Sequence, residues 1–187
     1  PTVGKLVSRM SDTAKILYGI YLVLTLVEIV LLLAGGMPLF DACIHSFGSA
    51  GTGGFSCRNL SVGAYQNPYF DIVIGIFMLL FGVNFNLYYF LLIRRFRDVF
   101  HSEELRSYLL IVAAAVVAIT VDIAHLYDSV STSLCHAFFQ VSSIITTTGY
   151  ATTDFNAWPT FSKGILVVLM FIGACAGSTG GGIKVAR

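Results

Sequence analysis

Two short stretches of this chain carry residue types suited to binding a bare cation through oxygen. One is Thr52-Gly53-Gly54-Phe55 and the other Thr147-Thr148-Gly149-Tyr150. Gly54 and Gly149 can reach backbone conformations closed to other residues, which lets consecutive carbonyls point one way. The threonine hydroxyls can add a further oxygen ligand. The two stretches belong to longer repeats, Asp41 to Ser56 and His136 to Ala151. A shift of 95 positions pairs Ala42 with Ala137, Thr52 with Thr147, Gly54 with Gly149 and Phe55 with Tyr150. Each segment is too short to span a bilayer as a helix, and each lies between long apolar runs. A short helix ending in a Thr/Gly turn between two spans offers a ring of carbonyls to an ion, which is how a pore is built. An ordinary interhelical turn would use the same residues once. Two aligned copies favour the pore.

A third stretch, Gly177-Ser178-Thr179-Gly180-Gly181-Gly182, interrupts the last apolar run. Residues this small unwind a helix, so the break is expected inside the membrane or near its inner edge. It reads as a flexible gate beneath the filter, or as a helix end leading to Lys184 and Arg187. Lys184 could hold the loop closed by hydrogen bonding, repel cations, or anchor the chain at the membrane surface. A phosphate loop is excluded, since it needs Gly-Lys-Ser/Thr and the chain has Gly182-Ile183-Lys184-Val185.

The elements that must hold these stretches are apolar helices. The chain is 56% hydrophobic and 11% charged, against about 25% charged in a soluble domain, and its mean hydropathy is +0.82. Four runs approach spanning length: Ile16 to Ala34, Phe70 to Ile93, Tyr108 to Val121 extended by Ile123 and Ala124, and Phe161 to Ala176. Two short pore helices are expected between them, Asp41–Ala50 and Ser131–Ile145, with Asp41 and one of Asp128, Ser129 or Ser131 as N-caps. Each would descend toward the membrane centre and turn its partly negative C-terminal end to the ion path. The fold class is thus an all-α membrane protein of tandem span–pore loop–span units, residues 1–95 and 96–187, with a Gly-rich break in the last helix. Lys5, Arg9 and Lys15, then Arg94, Arg95, Arg97 and Arg106, then Lys184 and Arg187 lie on one set of loops. The positive-inside rule makes that side cytoplasmic, the N-terminus of this segment included. Asp41, Asp71, Asp128 and Asp154 then face outward and would concentrate cations at the mouth.

The remaining polar residues are less specific. Glu28 is the one carboxylate deep in a span, hence a functional candidate, a buried hydrogen-bonded group or a snorkelling one. Asn84 and Asn86 are expected to bond between helices. His45, His136 and His125 lack partners at ligand spacing, and the first two read as pore-helix packing. Cys43, Cys57, Cys135 and Cys175 have no metal-type spacing and read as small packing residues. Tyr65, Tyr69, Tyr88, Tyr89 and Trp158 suit interface belts or packing. No signal peptide is expected, since Pro1 to Ser11 is polar. No nucleophile–base constellation appears, so an enzyme is not expected, and a formal net charge of +1 points to no nucleic acid.

Taken together, Phe40-Asp41-Ala42, Gly51 to Ser56, Thr146 to Tyr150 and Gly177 to Lys184 resemble the Trk/Ktr/HKT superfamily of potassium transporters, most closely its bacterial Trk-type membrane subunits. The resemblance covers nearly the whole chain. It implies a potassium-channel-like fold of four non-identical repeats, of which this chain is similar to the second and third. It implies one key glycine per filter, at Gly54 and Gly149, and a gating loop at Gly177–Gly182. Potassium would be the substrate, with no covalently bound cofactor. Expected partners are membrane lipid, a second copy in a homodimer and a cytoplasmic nucleotide-binding regulatory subunit, in a bacterial inner membrane. Sodium- or proton-coupled symport is the alternative transport reading, and a structural subunit without transport the alternative from another class.

Overall fold

The computed structural model describes the backbone of residues 3–187 and the side chains of residues 10–187, which leaves the Lys5 and Arg9 side chains outside the described residues. Among the described residues eight α-helices follow one another: α1 (Val3–Ala34), α2 (Leu39–Ala50), α3 (Pro68–Phe81), α4 (Phe85–Leu92), α5 (Phe96–Phe100), α6 (Glu103–Ile123), α7 (Val130–Ile145) and α8 (Thr160–Ile172). Among the described residues there is no strand, so the all-α expectation holds. Met10–Ala34 and Glu103–Leu126 are long and apolar enough to cross a membrane. At 1.5 Å per residue, the 25 residues of the first reach about 38 Å.

The short helices α2 and α7 lie where pore helices are expected, each starting one or two residues earlier. Ser129 caps α7, its side chain accepting from the Thr132 N–H at 3.2 Å. Asp41 does not cap α2. The N-cap there is Pro38, and Asp41 sits buried in the first turn. Its carboxylate is engaged instead by Arg58 at 3.0 Å and by the Tyr65 hydroxyl at 2.6 Å.

The second apolar run is not one straight span. It divides into α3 and α4, bent by 90°. Gly82 closes α3, and the Asn84 side chain caps α4 by accepting from the Asn86 N–H at 3.0 Å. Asn84 is therefore a helix cap and not an interhelical tie, and Asn86 is exposed. The last span also ends early. Helix α8 stops at Ile172, and Gly173, at φ +72°, turns the chain four residues before the Gly-rich tract. Its 13 residues cover about 20 Å.

Two buried clusters form the core. One gathers Ile74, Met78, Phe81 and Phe139 around α1, α2 and α3. The other gathers Tyr108, Ile119, Ile145 and Leu166 around α6, α7 and α8. They meet where α3 packs on α7, and the Tyr108 hydroxyl donates to the Leu79 carbonyl at 3.1 Å. The start of α8 is pinned by Asp122, whose carboxylate accepts from the Ser162 hydroxyl at 2.6 Å and its N–H at 3.2 Å. Leu22, Leu26, Val30 and Val121 remain exposed. Such faces are stable in lipid, where apolar surface has no water to escape.

Candidate ion-conduction site

The Thr/Gly turns begin where α2 and α7 end, and the two copies share one backbone path. The Gly51 N–H donates to the Phe47 carbonyl as Thr146 does to Ser142. The Thr52 N–H donates to Ser49 O as Thr147 does to Ile144 O. The Gly53 N–H donates to Gly48 O at 2.8 Å, and the Thr148 N–H to Ser143 O at 2.9 Å. Each pair is related by the same 95-residue shift read from the sequence. Left-handed conformations recur at equivalent positions too: Thr52 at φ +51° and Gly54 at +69°, Thr147 at +60° and Gly149 at +94°. Threonine is β-branched and uncommon with positive φ. Finding it twice at one register marks a conformation the surroundings impose.

That path fixes where the carbonyls go. Among the described residues every peptide bond is trans, so each C=O points opposite to the next residue's N–H. The N–H groups of Gly53, Thr148 and Gly149 point back at the helix ends. The carbonyls of Thr52, Thr147 and Thr148 therefore point away from them. They stand just beyond helix C-termini, which carry partial negative charge. Oxygen dipoles so placed suit a cation.

The two turns also touch. A Cβ on Gly54 would lie 1.9 Å from the Thr148 carbonyl oxygen, so no side chain fits there. A Cβ on Gly149 would meet nothing within 4 Å. Gly149 is required by its positive φ alone. The Tyr150 hydroxyl reaches across to the Phe55 carbonyl at 3.1 Å and the His45 carbonyl at 3.2 Å. His45 packs in α2 as its sequence context suggests, its ring nitrogens contacting Asp41 O at 2.7 Å and Ser56 Oγ at 2.9 Å. His136 contacts Thr152 Oγ1 at 2.8 Å.

The Gly-rich tract lies directly against both turns. The Thr52 hydroxyl donates to the Thr179 carbonyl at 3.3 Å, and the Gly181 N–H donates to the Thr147 hydroxyl at 2.7 Å. Thr179 is held in addition to the break in the second span, its hydroxyl donating to Phe81 O at 3.2 Å. Gly177 O accepts from the Phe85 N–H at 3.1 Å. The Lys184 ammonium donates to the Gly180 and Gly181 carbonyls from within the loop. The chain then returns along the end of α8, Lys184 N–H donating to Ile172 O at 3.0 Å and Val185 N–H to Ala174 O at 3.0 Å. Gly173 and Gly182 close this excursion: a Cβ on Gly182 would lie 2.7 Å from the Gly173 Cα.

Sequence reasoning singled out these three stretches but missed what ties them. The Tyr150 bridge and the Asp41–Arg58–Tyr65 group have no spacing signature. The bend did leave a signal, Gly82 followed by Asn84, a residue favoured at helix N-caps.

This arrangement of paired spans, short re-entrant helices and Thr/Gly turns defines a pore-loop membrane protein. The chain belongs to the TrkH family, described as a cation transport protein, whose model matches residues 3–187. It is 41% identical, over 98% of its length, to the Trk system potassium uptake protein TrkH of Salmonella typhimurium, covering 39% of that protein. It is 38% identical to the TrkG protein of the same system in Escherichia coli, over 98% of this chain and 38% of that one. Its fold matches the crystal structure of the potassium transporter TrkH from Vibrio parahaemolyticus with a TM-score of 0.88 at 36% identity, over 96% of this chain and 39% of that one. The chain thus spans about two fifths of the length of these relatives. The family is one of transporters and not of enzymes.

Proposed function

We propose that this chain forms part of a potassium uptake protein, in which ions pass the carbonyls of Thr52, Gly53 and Gly54 on one side and of Thr147, Thr148 and Gly149 on another. The observation that carries this reading is the repeated backbone path, with positive φ at Thr52 and Gly54 and again at Thr147 and Gly149. Carbonyls directed away from two helix ends replace part of a cation's hydration shell. Two such turns supply part of a ring, and further repeats outside residues 1–187 would complete it. The names of the relatives support potassium as the ion.

The segment Gly177, Ser178, Thr179, Gly180, Gly181 and Gly182, with Lys184, is the proposed gate. Its bonds to Thr52 and Thr147 support this reading, since an ion leaving the turns would meet a loop held against them. Lys184 stiffens it through the Gly180 and Gly181 carbonyls. The units 1–95 and 96–187 would be two of four repeats. A homodimer, a cytoplasmic nucleotide-binding subunit and an inner-membrane location with the N-terminal end of this segment inside belong to the same proposal.

The test is ion flux through the full-length protein in liposomes. Rubidium entry should be competed by potassium at far lower concentration than by sodium. Equal competition by the two ions would refute a potassium-selective path, and absence of any flux above empty liposomes would refute conduction.

A further inference from the structure

The Gly-rich tract is entered through a tight turn. The Ser178 hydroxyl donates to the Cys175 carbonyl at 2.6 Å, and Gly177 between them takes φ +68°. The Ala176 N–H leaves this turn and donates to the Glu104 carboxylate at 2.6 Å. Glu104 stands in the first turn of α6, 72 positions earlier in the chain. A carboxylate accepting from a backbone amide makes a charge-assisted hydrogen bond, roughly twice as strong as a neutral one. The bonds that tie the tract to Thr52, Phe81 and Thr147 are neutral by contrast. Lys184 spends its charge inside the loop, on the Gly180 and Gly181 carbonyls.

The turn is gripped from two sides. The Phe85 N–H, at the start of α4, donates to the Gly177 carbonyl at 3.1 Å, and a Cβ on Gly177 would lie 2.9 Å from Asn84 Oδ1. Glu104 holds the opposite side from the start of α6. Its base is firm: Ser102 caps α6, and Tyr108, one turn beyond Glu104, is fully buried with its hydroxyl on the Leu79 carbonyl at 3.1 Å. An acid is favoured in any first helical turn by the helix dipole. Glu103 meets that preference while staying exposed. Only the second acid of the pair reaches the loop.

We infer that Glu104 is a positioning residue for the gate: its carboxylate holds the Ala176–Gly177 turn against α6 and so keeps the Gly177–Gly182 tract seated on both Thr/Gly turns. The inference rests on the reading of that tract as the gate.

The experiment measures potassium flux and the potassium-to-sodium ratio in liposomes, with full-length protein, no regulatory subunit and matched amounts of folded protein. Glu104→Ala removes the acceptor and should raise flux about tenfold, the factor that one charge-assisted hydrogen bond sets in an equilibrium. The ratio should stay at the parent value. Glu104→Gln keeps a neutral acceptor of the same shape and should raise flux about threefold. Glu103→Ala should leave flux unchanged. Parent flux in Glu104→Ala overturns the inference. So does a lowered ratio without a rise in flux, which would mark a merely structural role. Equal rises in Glu104→Gln and Glu104→Ala, or in Glu103→Ala and Glu104→Ala, overturn it as well. If Glu104→Ala does not fold, Glu104→Gln decides, and parent flux there is the contrary result. Deleting residues 179–181 separates this inference from the reading beneath it. In that background Glu104→Ala should raise flux no further, because coupled residues do not add. A deletion that raises flux while Glu104→Ala does not would sink only the role of Glu104, whereas a deletion without effect would remove the gate itself.

Discussion

The Tyr150 hydroxyl donates to the Phe55 carbonyl across 3.1 Å, joining the residue just past one Thr/Gly turn to its equivalent just past the other. The two positions are related by the 95-residue repeat, yet only one carries a hydroxyl. The repeat is therefore asymmetric where the copies meet. Tyr150→Phe removes the bridge and leaves the Phe55 carbonyl short of a donor, while the His45 carbonyl keeps the Ser49 hydroxyl at 2.8 Å; the loss should cost about 1–3 kcal/mol. Thermal unfolding of the purified full-length protein should show the loss, together with a lowered potassium-to-sodium ratio. An unchanged melting temperature and ratio would mean the bridge does not position the turns.

Deleting residues 179–181 should raise ion flux. Thr179 and Gly181 bond to Thr52 and Thr147 respectively, so the deletion withdraws the loop from both turns. The milder Thr179→Val removes only the hydroxyl bond to Phe81 O and should raise flux less. Flux is followed in liposomes without a regulatory subunit. Wild-type flux in a correctly folded deletion variant would rule the loop out as the gate.

The proposed topology rests on the basic residues. In a background without native cysteines, a cysteine at Arg97 should react with an impermeant thiol reagent only from the cytoplasmic side. One at Asn156 should react from outside. The reverse pattern would invert the orientation of both turns.

Asp41 predicts an acid-side effect. The Tyr65 hydroxyl, with help from Arg58, holds its carboxyl below the usual carboxylate range. A depressed value means the group stabilises the fold fully above its unfolded value near pH 4. That contribution disappears as pH falls through the lower folded value. Asp41→Asn should therefore lower the melting temperature at pH 7 and flatten its fall below about pH 4. An identical profile in the variant would show that the Asp41–Arg58–Tyr65 group adds no stability.

Much of this architecture is legible in residue types. Thr and Gly at matched positions announce the two turns, and the start of α7 is legible to within the three cap candidates Asp128, Ser129 and Ser131, of which Ser129 is the cap. What is not legible depends on conformation or on distant contact. Gly173 ends α8 because of its φ of +72°, yet in sequence it is a lone glycine in an apolar run. The bend at Gly82 hides inside residues apolar enough for an unbroken span. Asp41 has a capping residue's identity but is claimed by Arg58 and Tyr65, 17 and 24 positions away. Glu28 is visible as an oddity, and only the fold shows it fully buried with both carboxyl oxygens unpartnered.

The central claim is that the two turns select the ion, and Gly149→Ser against Gly54→Ser in the full-length protein tests it most directly. Gly149 has free space beside it and is held to glycine by φ +94° alone, a strain of about 1–2 kcal/mol for any other residue. Gly54 combines positive φ with the Thr148 carbonyl 1.9 Å from where a Cβ would stand. The measurement is the potassium-to-sodium permeability ratio in liposomes, at matched amounts of folded protein. The account predicts a reduced ratio in Gly149→Ser and a larger loss in Gly54→Ser. An unchanged ratio in both, with flux intact, would contradict it.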